Sequence, residues 1–80
     1  MTHELKIKPE YFLEVMNGNK TFELRKNDRD YMVGDTIILK EFDEDYTGAQ
    51  VERKISYLLM NCEQYGLMDG FVILGLKEIE

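Results

Sequence analysis

Apolar and polar residues alternate near the start of the chain in a way that predicts a strand followed by a helix. Over residues 3–8, apolar Leu5 and Ile7 alternate with charged residues, which is typical of a half-buried strand. Pro9 is well tolerated in the first turn of a helix, and Asn17-Gly18 supplies the left-handed residue that often ends one. The helix is predicted to pack one apolar stripe against a sheet. This stripe consists of Tyr11, Phe12, Val15 and Met16.

The stretch from residue 20 to residue 26 is the densest in directed functional groups. Successive side chains of a strand point in opposite directions, so this segment has one polar face and one apolar face. We expect the apolar face to join the core and the polar face to carry chemistry, with Lys20 adding an amine at the start of the strand. The polar face consists of Thr21, Glu23 and Arg25, and the apolar face of Phe22 and Leu24.

Three more strands are predicted beyond residue 30. A tight turn at Gly34-Asp35 precedes a β-branched run at residues 36–42. An acidic hairpin connection at residues 43–48 leads to a long strand at residues 51–60. That strand is predicted to place Arg53, Ile55, Tyr57 and Leu59 on one face.

The last strand, residues 71–77, is apolar on both faces and is therefore predicted to be central in the sheet. Gly75 within it indicates a bend or bulge, as a curved sheet requires. The connection before it, residues 61–70, is long for a compact domain, which favours a functional role. The pattern does not predict whether this connection covers a binding cleft.

The order strand, helix and four strands contains too few helices for a parallel α/β sheet. The sequence therefore predicts an α+β fold: a mainly antiparallel, curled β-barrel with one short helix after the first strand. Eighty residues form a single domain spanning residues 1–80, because a second domain would be too short to bury its own core.

Charge is distributed unevenly along the chain. The net charge of −6 argues against a general nucleic-acid binder, yet residues 1–30 hold six basic and six acidic side chains. All of the net negative charge lies in residues 31–80. An anionic ligand is therefore expected to bind the first part of the chain, and the acidic second half would suit a basic protein partner.

The sequence has one cysteine and one histidine, and neither gives a strong indication of catalysis. Cys62 has no disulfide partner and is predicted to be a small buried side chain, as in a reducing cytoplasm. His3 is predicted to lie on the surface of the first strand. No signal peptide or membrane span is predicted, and no cofactor or metal site is indicated, since the acidic run at residues 43–48 lacks the ligand spacing of a calcium loop.

The segment Gly18-Asn19-Lys20-Thr21-Phe22-Glu23-Leu24-Arg25 resembles the G-x-K-T-x-E-x-R signature of ASCH domains, which are small members of the PUA-like superfamily. Val33-Gly34-Asp35 is similar to the V-G-D turn of that superfamily. Tyr65-Gly66-Leu67 before the closing strand resembles a compact bacterial and phage branch. The resemblance extends from residue 3 to residue 76 and implies a PUA-like barrel with a cleft that binds RNA or nucleotides.

The resemblance also implies an enzymatic alternative. One group of the wider family resembles amidohydrolases that deacylate N4-acetylcytidine, with catalytic residues at the positions of Lys20 and Glu23, and other members are described as ribonucleases. Glu23 stands where the amidohydrolases have a threonine, and a carboxylate is a general base rather than a hydroxyl nucleophile.

Two functions therefore remain open for this segment, and a regulator acting through protein contacts of the acidic second half is a third possibility. In the first, the domain binds RNA or a nucleotide, Arg binding phosphate bidentately and Glu23 orienting Arg25. In the second, Lys20 and Glu23 catalyse hydrolysis of a modified nucleoside or of RNA. The tyrosines Tyr31, Tyr46 and Tyr65 would either stack bases or pack at the core edge. The residues assigned to binding are Lys20, Thr21, Glu23, Arg25, Lys26 and Arg29.

Overall fold

A computed structural model describes residues 1–79. The elements follow the predicted order. They are β1 (Thr2–Ile7), α1 (Pro9–Met16), β2 (Phe22–Lys26), β3 (Thr36–Asp43), β4 (Asp45–Leu59), a short 3-10 helix (Cys62–Tyr65) and β5 (Phe71–Lys77). A tight turn over Met32–Asp35, with Gly34 at a φ of 96°, starts β3 as the sequence predicted.

The five strands form one mixed sheet in the order β1-β3-β4-β5-β2. The β1–β3 pair is parallel, and the three other pairs are antiparallel. β5 lies between β4 and β2, which confirms its predicted central position. The small α+β fold with a curled, mainly antiparallel sheet and one short helix is therefore confirmed. In this order β1 and β2 are the two edge strands.

The core lies on the concave side of the curled sheet. Alternate residues of each strand point to this side, and Ile37, Leu39, Ile55 and Leu74 are completely buried there. α1 adds Val15 and part of Phe12. The helical stripe is narrower than predicted, because Tyr11 and Met16 are about half exposed. Cys62 is buried and bonds to the carbonyl of Leu59, as expected of a structural thiol.

The predicted acidic connection at residues 43–48 is wrong. Only Glu44 turns the chain, with a left-handed φ of 65°, and Asp43 pairs directly with Asp45. β4 consequently begins six residues earlier than the strand predicted at Val51. Charged residues disfavour strands in isolation, but here the β3 ladder continues to the tip and supplies the backbone partners.

The predicted single face of Arg53, Ile55, Tyr57 and Leu59 is also wrong. The register of β4 against β5 shifts between Ile55 and Tyr57, so Ile55 is buried while Tyr57 is 64% exposed. The residue opposite the shift is Gly75, which confirms the predicted bulge, although the extra residue lies in β4. A Cβ atom on Gly75 would lie 3.2 Å from Oγ of Ser56, so glycine fits the crowded side of the bulge.

The two faces of β2 are the reverse of those predicted. Glu23 points into the concave side and is only 4% exposed, and Arg25 is half-buried beside it. Phe22 and Leu24 point outward and are each 49% exposed. The pattern of alternation was correct, but alternation alone does not say which face meets the core.

His3 is buried and not on the surface, contrary to the prediction. Its Nε2 atom lies 2.8 Å from Oδ2 of Asp35, and its ring packs edge-on against Tyr31. Asp35 also accepts hydrogen bonds from the Met1 amino group and the backbone N–H of Met32. The hydrogen bond with His3 is the largest of the effects that lower the pKa of Asp35 below its ordinary value. This cluster ties β1 to the turn that starts β3.

Within residues 1–79, no helix has the length and apolar composition needed to cross a membrane. The connection at residues 61–70 lies beside the end of β2, where the N–H of Asn27 donates to the carbonyl of Gly70. Together with Asn27 and Phe71 it lines a small cleft of about 120 Å³.

Candidate functional site

Curling brings the edge strands β1 and β2 toward each other, and arginine side chains bridge the space between them. Nη2 of Arg25 donates to the carbonyl of Lys6 at 2.6 Å, and Nη1 of Arg29 donates to the carbonyl of Glu4 at 2.7 Å. Among the described residues no backbone ladder joins β1 to β2. We call this region, between residues 4–6 of β1 and residues 24–26 of β2, the seam.

A buried carboxylate organises the cations at one end of the seam. One oxygen of Glu23 accepts a hydrogen bond from Nζ of Lys20, and the other lies 3.0 Å from Nε of Arg25. Nζ of Lys20 also donates to the carbonyl of Phe22 at 2.7 Å. Two cations on one buried carboxylate leave an excess positive charge, and both cations remain partly exposed to a ligand.

Three adjacent clefts run along the seam, and Arg25 lines all of them. Their volumes are about 350, 340 and 480 Å³. The smaller two flank Arg29, and the largest opens between β2 and the start of α1. Their basic lining residues are Lys6, Lys8, Lys20, Arg25, Lys26, Arg29 and Lys40.

The clefts concentrate most of the positive charge of the protein. Among residues 1–79, they hold seven of the ten basic side chains, but only three of the fifteen acidic ones, namely Glu4, Glu23 and Asp28. The lining therefore carries +4, although the whole chain carries −6. Clefts of one sign focus the electrostatic field and attract ligands of the opposite sign.

One ion pair within the lining lies on the solvent side of the sheet. Nζ of Lys40 is 2.7 Å from Oε1 of Glu4, and this hydrogen bond lowers the pKa of Glu4 and raises the pKa of Lys40. Both groups therefore keep their charges across the neutral range. Because the pair is exposed, it contributes little to stability and can reorganise when a ligand binds.

Aromatic rings that are half-buried or exposed lie at both ends of the seam. At one end Phe42 and Tyr46 pack edge to face, and Nζ of Lys6 lies 4.3 Å from the Phe42 ring centre. At the other end Nζ of Lys20 lies 5.0 Å from the ring centre of Phe22 and 5.6 Å from that of Tyr11. Each end thus offers an aromatic surface beside a cation.

Of the three tyrosines considered from the sequence, Tyr46 and Tyr31 line clefts of the seam, but of these two only Tyr46 is exposed. Tyr31 is 3% exposed and belongs to the core, so its ring cannot stack on a base. Burial is also the main cause of its raised pKa. Tyr65 is exposed, but it lies in the 3-10 helix and lines none of the three clefts.

Five of the six residues assigned to binding from the sequence lie together at the seam. Lys20, Glu23 and Arg25 form the carboxylate cluster, and Lys26 and Arg29 line the cleft beside it. Thr21 does not join them, because it lines a separate cleft of about 190 Å³ between α1 and the end of β5.

Sequence reasoning missed the contribution of β1, β3 and α1. Lys6, Lys8, Lys40 and Tyr11 all line the clefts but were not assigned to the site. The signal that could have found them was the outward alternation of Lys6 and Lys8 on the first strand. Their meeting with β2 depends on the curl of the whole sheet, which no local pattern encodes.

The described residues offer no obvious metal centre. No group of three histidine, cysteine, aspartate or glutamate residues in 1–79 lies close enough together to hold an ion.

Comparison with known proteins identifies relatives but no activity. Residues 2–76 match a family described as "Domain of unknown function (DUF3850)". A protein of Escherichia phage P2, described as an uncharacterized 12.9 kDa protein in the GpA 3′ region, is 46% identical over 55 residues. The match covers 68% of this chain and 50% of the phage protein, so the chain spans about half the length of that relative.

Proposed function

The chain belongs to the DUF3850 family, and from this premise we propose that its basic seam binds single-stranded RNA or a nucleotide. The observation that carries the proposal is the gathering of seven basic side chains around Arg25 on an otherwise acidic protein. Such segregation costs electrostatic energy in the free protein, because like charges are held close together. A bound polyanion recovers that energy.

The arginines of the seam keep donors free for a phosphate. A guanidinium has five N–H donors, and Arg25 and Arg29 each use only part of this set on the carbonyls of β1 and on Glu23. Because these bonds fix the planes of both guanidinium groups, less side-chain entropy is lost on binding. The seam is thus prepared for bidentate contact with a phosphate.

The aromatic ends of the seam favour single-stranded over double-stranded nucleic acid. Unpaired bases can stack on Tyr46 at one end and on Tyr11 at the other, whereas bases in a duplex are already stacked. The three clefts in a row match a short chain of alternating bases and phosphates.

The geometry gives less support to hydrolysis by Lys20 and Glu23. Nζ of Lys20 donates to Glu23 and to the carbonyl of Phe22, so two acceptors hold the amine in place beside the carboxylate. Both oxygens of Glu23 are occupied by Lys20 and Arg25. The geometry thus favours a role for Glu23 in orienting the two cations.

We also propose that the fold is that of a PUA-like ASCH domain. The supporting features are the G-x-K-T-x-E-x-R segment, which forms the helix end and β2, and the V-G-D turn before β3. The Lys, Glu and Arg of that segment form the carboxylate cluster at the seam. The charged residues of the segment therefore act together in one cluster.

Fluorescence anisotropy with a short labelled single-stranded RNA tests the binding proposal. We expect saturable binding that weakens steeply between about 50 and 200 mM salt, as counterion release requires. Lys26→Met and Arg29→Met should each weaken binding and lower the salt slope by roughly 0.7 for each phosphate that the variant no longer neutralises. Lys54→Met, which removes the same charge away from the clefts, is the control.

Two further ligands distinguish the alternatives. Cytidine and N4-acetylcytidine are incubated with the same protein while acetate release is followed. Acetate release that is lost in Lys20→Met would establish the hydrolase and overturn a purely binding role. Equal RNA affinity of wild type, Arg29→Met and Lys54→Met would show that the seam is not the binding surface.

A further inference from the structure

The convex face of β4, β5 and β2 is apolar, which is unusual for a face that points away from the core. Antiparallel sheets with one solvated face normally alternate apolar and polar residues. Here the outward positions remain apolar through two successive rows across the three strands. We call this surface the outer face; it consists of Tyr57, Leu59, Phe71, Ile73, Gly75, Phe22 and Leu24.

Strand register shows that these residues are direct neighbours. Tyr57 pairs with Gly75, which pairs with Phe22, and these three form one row. In the next row Leu59 pairs with Ile73, and Ile73 pairs with Leu24. Adjacent strands lie about 4.8 Å apart and alternate residues about 6.7 Å apart, so the two rows make one continuous surface.

The bulge in β4 creates this surface. A Cβ atom on Gly75 would meet Oγ of Ser56 and, at 3.4 Å, Cβ of Tyr57, so both side chains lie on the outward side of β5. Without the register shift, Tyr57 would continue the inward alternation of Ile55. The bulge therefore moves an aromatic side chain from the core to the surface, where it is 64% exposed.

We propose that the outer face is the interface of a homodimer in which two copies pack these sheets face to face across a two-fold axis perpendicular to β5. Tyr57, Phe22 and Leu24 alone expose roughly 350 Å² if each whole residue measures about 200–250 Å². A standard interface buries about 800 Å² per partner, somewhat more than half of it apolar. The outer face and its half-buried members supply most of that apolar share.

Charges at the two ends of the outer face select this orientation. Lys54 pairs with Lys77 at one end. At the opposite end Glu63 and Asp69 surround the same small cleft as Phe71, and together with Lys26, which pairs with Phe71, they carry a net charge of −1. A two-fold axis perpendicular to β5 places the lysine end of one copy against the acidic end of the other. An axis parallel to β5 would instead oppose lysine to lysine.

Sedimentation equilibrium of the full chain from about 5 to 200 µM tests the proposal, because dimer formation depends on concentration. We expect the mass to rise from 9.5 kDa toward twice that value. Tyr57→Lys and Ile73→Lys should each raise the dissociation constant at least tenfold. Leu13→Lys, an equally drastic change at an exposed position of α1, is the control and should leave it unchanged. Circular dichroism identifies any variant that has unfolded.

A charge exchange tests the orientation. Lys77→Glu alone should weaken the dimer, and Lys77→Glu combined with Asp69→Lys should restore it. A wild-type protein that stays at 9.5 kDa throughout, or outer-face variants that dimerise like wild type, would overturn the interface. Failure of the double variant to recover would overturn the two-fold arrangement. RNA affinity is measured with Tyr57→Lys, because Tyr57 lines none of the clefts of the seam, whereas the outer-face residues Phe22, Leu24 and Phe71 each line at least one.

Discussion

At Glu23 a single buried carboxylate holds two cations from the same short segment. The side chain is 4% exposed, while those of Lys20 and Arg25 are 17% and 25% exposed. Removing the carboxylate charge leaves both cations without their counter-ion in a partly desolvated place. Because both cations still reach solvent, the loss should be smaller than for a fully buried pair.

We therefore predict that Glu23→Gln lowers the free energy of unfolding by roughly 1–3 kcal/mol. Urea denaturation followed by circular dichroism measures the change. Glu52→Gln is the matched control, since Glu52 is exposed and its carboxylate makes no ion pair among the described residues. Its effect should stay within about 0.5 kcal/mol. Equal midpoints for the two variants would show that the carboxylate cluster contributes nothing to the fold.

Asp35 provides a pH-dependent contribution to stability. Its hydrogen bond with His3 leads the effects that hold the pKa of Asp35 below its ordinary value, so the folded state favours the carboxylate. The contribution is fully present above the unfolded pKa of about 4, and it disappears as pH falls through the lower folded pKa. We predict that Asp35→Asn loses about 1–2 kcal/mol at pH 7 and that its deficit shrinks below pH 4.

Free energies of unfolding measured from pH 2 to pH 7 on wild type and Asp35→Asn give this difference directly. Asp43→Asn, at an exposed carboxylate with no hydrogen bond to its side chain among residues 1–79, should give a curve parallel to wild type. A deficit of Asp35→Asn that is constant over the whole pH range would contradict the assigned role of the carboxylate.

Among the elements, the β3–β4 hairpin shows how a strained residue is tolerated at a turn. Glu44 has a φ of 65°, a left-handed conformation that costs a non-glycine residue roughly 1–2 kcal/mol. It also lies between Asp43 and Asp45, where three negative charges repel one another. We predict that Glu44→Gly raises the free energy of unfolding by about 0.5–1 kcal/mol, since glycine adopts this conformation freely.

Thermal denaturation of two variants separates the causes. Glu44→Gln removes the charge but keeps the left-handed backbone conformation. Any increase in the melting temperature of Glu44→Gly over that of Glu44→Gln therefore comes from relief of backbone strain. A lower melting temperature for Glu44→Gly than for wild type would show that the turn is not strained.

Element identity and order were readable from the sequence because the signals are local. Pro9 and Gly18 mark the limits of α1, and alternation marks β1 and β5. The errors arose where tertiary structure overrides local preference. The β3 ladder extends β4 through an acidic tip, and a bulge opposite Gly75 moves Tyr57 outward. Neither effect is visible in the residues of β4 alone.

Only part of the candidate site could be predicted from the sequence, again because local signals were readable and tertiary ones were not. Glu23 and Arg25 lie two residues apart on one strand, so alternation alone places them together. Which face of β2 meets the core depends on the neighbouring strand, and that part of the prediction was wrong. The lysines of β1 reach the site only because the sheet curls until its two edges meet.

For the whole molecule, the seam predicts where the structure opens first. Within residues 1–79, β1 has a backbone ladder with β3 alone, and on its other side it is held by the side chains of Arg25 and Arg29. β5 has ladders on both sides.

We predict that Arg29→Met accelerates hydrogen exchange of the β1 amides severalfold while the amides of β5 change little. The reason is that local opening of β1 requires the loss of only one ladder and one side-chain bridge. Exchange followed by mass spectrometry or NMR resolves the two strands. Lys54→Met is the control for loss of a positive charge, and it should leave both strands unchanged. Equal acceleration in β1 and β5 would mean that Arg29 stabilises the fold as a whole, and that the seam is not a separate point of opening.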